Sequence, residues 1–180
     1  MILSGTDLIL RPITEDDLTL INRWSNDQEV GMLLDEWHGP YSMDSTRHWY
    51  FNKVRGAHNE IRLIIDTAAL GPIGSINLVN INPQEKSAFY GVMIGERKAF
   101  DRGYGTRAIK AIMIYAFDEL KLQKLNSSII EYNKRSLHVH CNKLGWKVEK
   151  IEKDWYWRHD RHWDRIIISA EATEFNREDT

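Results

Sequence analysis

Cysteine is nearly absent from the chain. Cys141 stands alone, so no intrachain disulfide can form and a reducing, cytoplasmic setting is the expectation. A surplus of one charge is also missing. The formal net charge of −2 provides no global basic field, so nucleic acid is not an expected partner. No stretch approaches the roughly 20 apolar residues that cross a bilayer. The opening Met1–Gly5 lacks the basic region and apolar run of a signal peptide, so no membrane association is expected. There are no internal repeats and no low-complexity segments.

What is present suits one soluble domain spanning residues 1–180, with 42% hydrophobic and 28% charged residues. Seven tryptophans are many for this length. Most should fill the core, while a minority line a cleft.

The order of elements is mixed α/β. Leu8–Arg11 reads as a strand, and Thr14-Glu15-Asp16-Asp17 as a capping box that starts a helix carrying Leu18, Ile21 and Trp24. Asn26 to Tyr41 has no period and is expected to be a mobile connection. A second helix is predicted from Ser45 to about Val54. Strands follow at Arg62–Asp66, Ile73–Val79 and Ala88–Ile94, their short turns favouring antiparallel neighbours. Gly91 inside the last of these suggests a bulge or a close approach by a ligand. The period then becomes helical from Gly105 to Leu120, with Ile109, Ile112, Ala116 and Phe117 on one face. Asn126–Glu131 is a further strand, and Asn133–Leu144 a helix closed by Gly145. A hairpin with arms Trp155–Arg158 and Ile166–Ser169 ends the fold, and residues 171–180 are expected to fray.

The chemistry concentrates at Arg102-Gly103-Tyr104-Gly105-Thr106, which opens the long helix. Exposed amides and the helix dipole favour an anion there, and glycines permit its close approach. Arg102 adds a charge-assisted contact to phosphate. A P-loop is excluded because Thr106-Arg107 follows Gly105 where Lys-Ser/Thr is required, and a dinucleotide fingerprint lacks its third glycine. Zinc is not expected either. His138 and His140 lie two residues apart on a helix and face different ways, and His159 and His162 straddle a turn.

Arg102-Gly103-Tyr104-Gly105-Thr106-Arg107-Ala108 resembles motif A of the GNAT acetyltransferase superfamily. Leu10–Asp17, Trp24–Val30, Gly91–Gly95, Asn133–Ser136 with Lys143–Trp146, and His162-Trp163-Asp164 are similar to successive segments of its branch of ribosomal-protein alanine N-acetyltransferases. The resemblance implies a single-domain GNAT-like fold, with a mostly antiparallel sheet whose central strands splay apart. It also implies acetyl-CoA as cosubstrate, no metal, and direct acetyl transfer to an amine. The pyrophosphate would rest on Arg102, Gly103, Tyr104, Gly105, Thr106 and Arg107. The pantetheine arm would run along Val92, Met93 and Ile94, with one strand N–H polarising the thioester carbonyl. Asn133 and Ser136 would hold the other side.

His140 stands where motif B commonly has a tyrosine acid, which implies a proton donor for the departing thiolate. Gly145 lies one residue further from Asn133 than the pattern expects. The helix must therefore be extended or bulged, and His138 and Asn142 remain alternatives. Phe89 occupies the usual position of a glutamate base, leaving Glu96, Asp35, Glu36 and Asp164 as stand-ins and no base assigned. Cys141 is read as packing. Asp35, Glu36 and Trp37 would wall the acceptor site, with Trp155 and Trp157 opposite. The acceptor is expected to be a small amine such as a polyamine, an aminoglycoside or an amino-sugar, ahead of a protein N-terminus. A homodimer stays open, and so does a non-enzymatic CoA-binding module.

Overall fold

The computed structural model describes residues 3–4, 7–35, 39–56 and 58–177, with the side chains of residues 3 and 4 not described. Among them, eight strands form one sheet in the order β1-β2-β3-β4-β5-β6-β8-β7. These are β1 (Leu3–Ser4), β2 (Leu8–Pro12), β3 (Ile61–Thr67), β4 (Gly71–Asn82), β5 (Ser87–Ile94), β6 (Lys124–Ile130), β7 (Lys147–Arg158) and β8 (Arg161–Glu171). Every pairing is antiparallel except β5 with β6. That parallel pair needs a crossover, which α4 (Tyr104–Ile114) supplies.

The pairing of β5 with β6 is short. It joins Ser87, Ala88 and Phe89 to Lys124, Leu125 and Asn126. Beyond Phe89, β5 stays on β4 as far as Ile94, while β6 stays on β8 as far as Ile130. The sheet therefore splays at its centre, as the resemblance implied.

Apolar alternation buries one face against α4, where Leu10, Ile65, Ile73, Ile76, Leu78, Ile112, Met113 and Leu125 are fully covered. Each such side chain contributes about 1.5–3 kcal/mol relative to exposure. A smaller cluster on the opposite face joins Ile64 to Leu18, Ile21 and Trp24 of α1 (Leu18–Asn26). The start of α1 is fixed by a buried ion pair. The Asp17 carboxylate accepts the Thr14 N–H at 2.8 Å and the Arg11 guanidinium at 2.7 and 2.8 Å. Arg11 also reaches Asp66 at 2.8 Å, which ties the helix start to β2 and β3.

Several expectations need correcting. The connection after α1 contains a helix, α2 (Gln28–Met32), because the Asp27 carboxylate caps the N–H groups of Glu29 and Val30. Helix α3 is Met43–Trp49, started by Ser42 rather than Ser45. Three helices relax into wide turns, marked by bonds from Arg55 to Tyr50, Leu120 to Tyr115 and Leu144 to Val139, each closing over five residues. Both hairpin arms are much longer than the aromatic and isoleucine runs that signalled them. The tail does not fray at residue 171. Phe175 is buried against Phe117 with ring centroids 5.5 Å apart, and Arg177 pairs with Asp118 at 2.7 Å. Gly91 sits at no bulge; the irregularity in that ladder falls between Val79 and Asn82.

Candidate active site

Two cavities flank the splay. The larger, about 950 Å³, lies over the α1–α3 side of β3, β4 and β5. The smaller, about 290 Å³, runs from β5 to the start of α4 and along α5 (Lys134–Leu137). Val92, Met93, Asn133, Ser136 and His140 line both, so the cavities meet there.

Backbone geometry opens this gap. The Ser127 hydroxyl donates to the Tyr90 carbonyl at 2.9 Å across the splay. Backbone groups alternate sides along a strand, so those of Val92 and Ile94 also face the gap, where β6 has diverged. Their N–H groups are available to a bound ligand.

At the other end of the smaller cavity, Gly103 caps α4 with φ +77°, a left-handed conformation that glycine adopts without strain. A Cβ at Gly103 would meet nothing within 4 Å, and one at Gly105 only the Ile94 side chain at 3.8 Å. This clearance lies over the unpaired amides of a helix start, the arrangement an anionic group needs. Gly103, Gly105 and Thr106 line the cavity, while Tyr104 is buried beneath them. Arg102 is exposed and outside the lining. The Arg107 side chain departs from expectation: it pairs with Asp7 at 2.7 Å and stacks over the Tyr104 ring. The lining cations are instead Arg135, held to Asp101 at 3.0 Å, and Lys143. Neither was visible from motif A, because both come from motif B.

Asn133 caps α5, its side-chain oxygen accepting the Ser136 N–H at 3.1 Å. The wide turn His138–Lys143 absorbs the extra residue before Gly145, whose φ is +71°. This is the bulge that the Asn133–Gly145 spacing required, and it places the three candidates differently. His140 turns inward to 2% exposure, packed against Tyr90 and Trp146, while Asn142 is exposed and outside both cavities. His138 reaches the smaller cavity only.

The His140 Nδ1 lies 2.8 Å from the Ser136 carbonyl, which can only accept, so Nδ1 carries the proton. Nε2 is then a bare acceptor, buried and without a hydrogen-bond partner. Burial pushes the imidazole pKa down to about 4, and the Ser136 bond opposes this only in part. His140 is therefore neutral at neutral pH, with no stored proton to donate. Burial likewise holds the Tyr90 hydroxyl and the Cys141 thiol in their protonated forms.

Phe89 lines the larger cavity, half exposed, in the place of a base. Of the stand-ins, Glu96 is taken by Arg23 and the Trp24 indole, and Asp164 by Lys153. Neither lines either of these two cavities. Asp35 does, hydrogen-bonded by Ser128 and 3.5 Å from Arg165. Glu36 and Trp37 lie outside the described residues. Trp155 and Trp157 do not form the opposite wall. They are exposed on β7, and Trp155 touches the cavity only through Arg165, stacked on its ring at 4.8 Å. Among the described residues, no group of three His, Cys, Asp or Glu side chains could hold a metal ion, and no helix is long and apolar enough to cross a membrane.

Residues 7–147 match the acetyltransferase (GNAT) domain family. The chain belongs to this family. A GNAT enzyme uses acetyl-CoA to acetylate an amine, and the gap, the helix start and the shared cavity wall described above fit that cosubstrate. This acetyltransferase is 24% identical over 173 residues to the SPbeta prophage-derived N-acetyltransferase YokL of Bacillus subtilis, covering 96% of this chain and 94% of that one. It is 28% identical over 146 residues to spermidine N(1)-acetyltransferase of Escherichia coli K12, covering 81% and 76%. The structure of spermidine N-acetyltransferase from Vibrio cholerae, in complex with CoA and spermine, superposes with a TM-score of 0.84 at 22% identity, covering 94% and 98%. The fold is thus shared. The branch expectation is corrected, since two of these three relatives are spermidine N-acetyltransferases and none is a ribosomal-protein alanine N-acetyltransferase.

Proposed function

We propose that this GNAT enzyme moves acetyl directly from acetyl-CoA to the primary amine of a small molecule held in the larger cavity, without an acyl-enzyme. The observation that carries this reading is His140, which lines both cavities where they meet and whose buried Nε2 has no hydrogen-bond partner. Acetyl-CoA supplies an activated acyl group. The amine nitrogen forms a C–N bond as the C–S bond breaks, and the proton lost by nitrogen ends on the CoA sulfur.

The smaller cavity binds the cosubstrate through the α4 amides around Gly103 to Thr106, with Arg135 and Lys143 as phosphate partners. The Val92 and Ile94 N–H groups orient the acyl arm, and one of them supports the charge that develops on the carbonyl oxygen. His140 Nε2 takes the proton that the amine loses. The resulting imidazolium, destabilised by burial, gives that proton up readily, so one side chain serves the leaving sulfur as well. The sequence-level acid role becomes that of a relay which starts empty. No thiol nucleophile is needed, and the raised pKa of Cys141 suits none.

The amine-acetylating relatives support a small acceptor, and the near-neutral charge of the chain gives no attraction to a ribosome-bound substrate. The test is spectrophotometric release of free CoA thiol across a panel of amines. The reading predicts amine-dependent release that His140→Gln depresses in kcat more than in KM. Tight acetyl-CoA binding with no release on any amine would overturn it and leave a binding module.

A further inference from the structure

Among its described residues, the larger cavity is nearly free of usable negative charge. Among the described residues that line it, Asp35 is the only carboxylate, against two guanidinium groups, Arg62 and Arg165. Asp35 is already engaged by Arg165 and Ser128. Arg62 is paired with Glu60 at 2.8 Å, just behind the wall. A linear polyamine carries several ammonium groups, and each would have to leave water for a surface whose described residues offer no unpaired anion.

The same surface is rich in neutral hydrogen-bonding groups and flat apolar ones. In register, Arg62, Asn77 and Gly91 form one row across β3, β4 and β5 on the cavity floor. A Cβ at Gly91 would come within 3.2 Å of the Asn77 carboxamide, so the glycine lets that side chain lie across the floor. The Asn77 carboxamide makes no hydrogen bond among the described residues, which leaves its donors and acceptor free for a ligand. Ser75 joins it on β4. The half-exposed Phe89 ring supplies an apolar face on the same lining, and the Trp49 ring, with the Arg62 guanidinium over one face at 5.6 Å, adds its other face and edge. Hydroxyl-matching groups beside aromatic faces suit a pyranose, whose edges are polar and whose faces are apolar.

We infer that the acceptor is a primary amine on an amino-sugar body, with one ammonium and several hydroxyls, and that Asn77 determines this specificity. The inference rests on the acetyl-transfer reading, with the same bonds made and broken. Glucosamine, spermidine and the dipeptide Ala-Ala serve as probes, in thiol release and in calorimetric binding to the CoA-saturated protein. Glucosamine should exceed both others in kcat/KM by about tenfold or more. Asn77→Ala should raise its KM about tenfold with CoA affinity unchanged, which also reports a folded site. Asn77→Asp, by adding an unpaired carboxylate, should shift preference toward spermidine. Preference of the unaltered protein for spermidine or Ala-Ala, or indifference to both Asn77 variants, would overturn the inference. Selective glucosamine binding without turnover would leave the sugar specificity of the cavity standing while sinking the acetyl-transfer reading and, with it, the acceptor role.

Discussion

His140 couples the site to the stability of the fold, and the coupling can be measured. Its pKa falls from an ordinary 6.5 to about 4 because folding buries the ring. Between these values the unfolded chain binds a proton that the native chain refuses. Stability contributed by the neutral ring is therefore complete above about pH 6.5 and is lost as pH falls toward 4. A pKa shift of about 2.5 corresponds to about 3 kcal/mol, of which about 2 kcal/mol is lost between about pH 7 and about pH 4.5. Urea unfolding of the protein and of His140→Gln over that range isolates the contribution, because the carboxylates titrate alike in both. The protein should lose about 2 kcal/mol more than the variant on acidification. Equal losses would refute the burial argument and, with it, the claim that the imidazole starts neutral.

The same shift governs turnover. The pH profile of kcat/KM should show no His140 limb near 6.5, and a limb there that disappears in His140→Gln would contradict the neutral resting state. Arg11→Ala leaves the Asp17 carboxylate buried without its cation and should cost about 3–5 kcal/mol in denaturant unfolding, with loss of the α1 start. Gly95→Ala would drive a methyl group into the fully buried Trp24 ring, which predicts a loss of about 3 kcal/mol or more by the same assay. Gly103→Ala meets no atom but holds φ +77°, so it should cost about 1 kcal/mol and weaken acetyl-CoA binding in calorimetry.

Much of this was legible in the residues. The capping box at Thr14–Asp17, the α4 periodicity and the strand alternation are local signals, and each produced its element. Motif A pointed to the helix start that lines the smaller cavity, because two glycines at the opening of a helix have few other uses. The Asn133–Gly145 spacing announced a bulge, though not which side chain it would turn inward.

What was not legible depends on tertiary placement. Nothing local in Lys147–Asp154 signals the first half of β7, since its residues are mostly exposed and charged. Phe175 finds Phe117 only after the sheet has formed. Asn77 looks like any polar strand residue until register sets it beside Gly91 and Arg62. Arg107 matched a motif position, yet Asp7, a hundred residues away, holds its side chain.

The central claim is that acetyl passes directly from acetyl-CoA to a small amine at the junction marked by His140. Mass spectrometry of a reaction run with isotope-labelled acetyl-CoA tests it most directly, by following acetyl on the amine, CoA thiol in solution and any label on the protein. The account predicts N-acetylated amine and free CoA in equal amounts, with no acetyl on the chain at any stage. Label trapped on the protein during turnover, at Cys141 or elsewhere, or free CoA without acetylated amine, would contradict it.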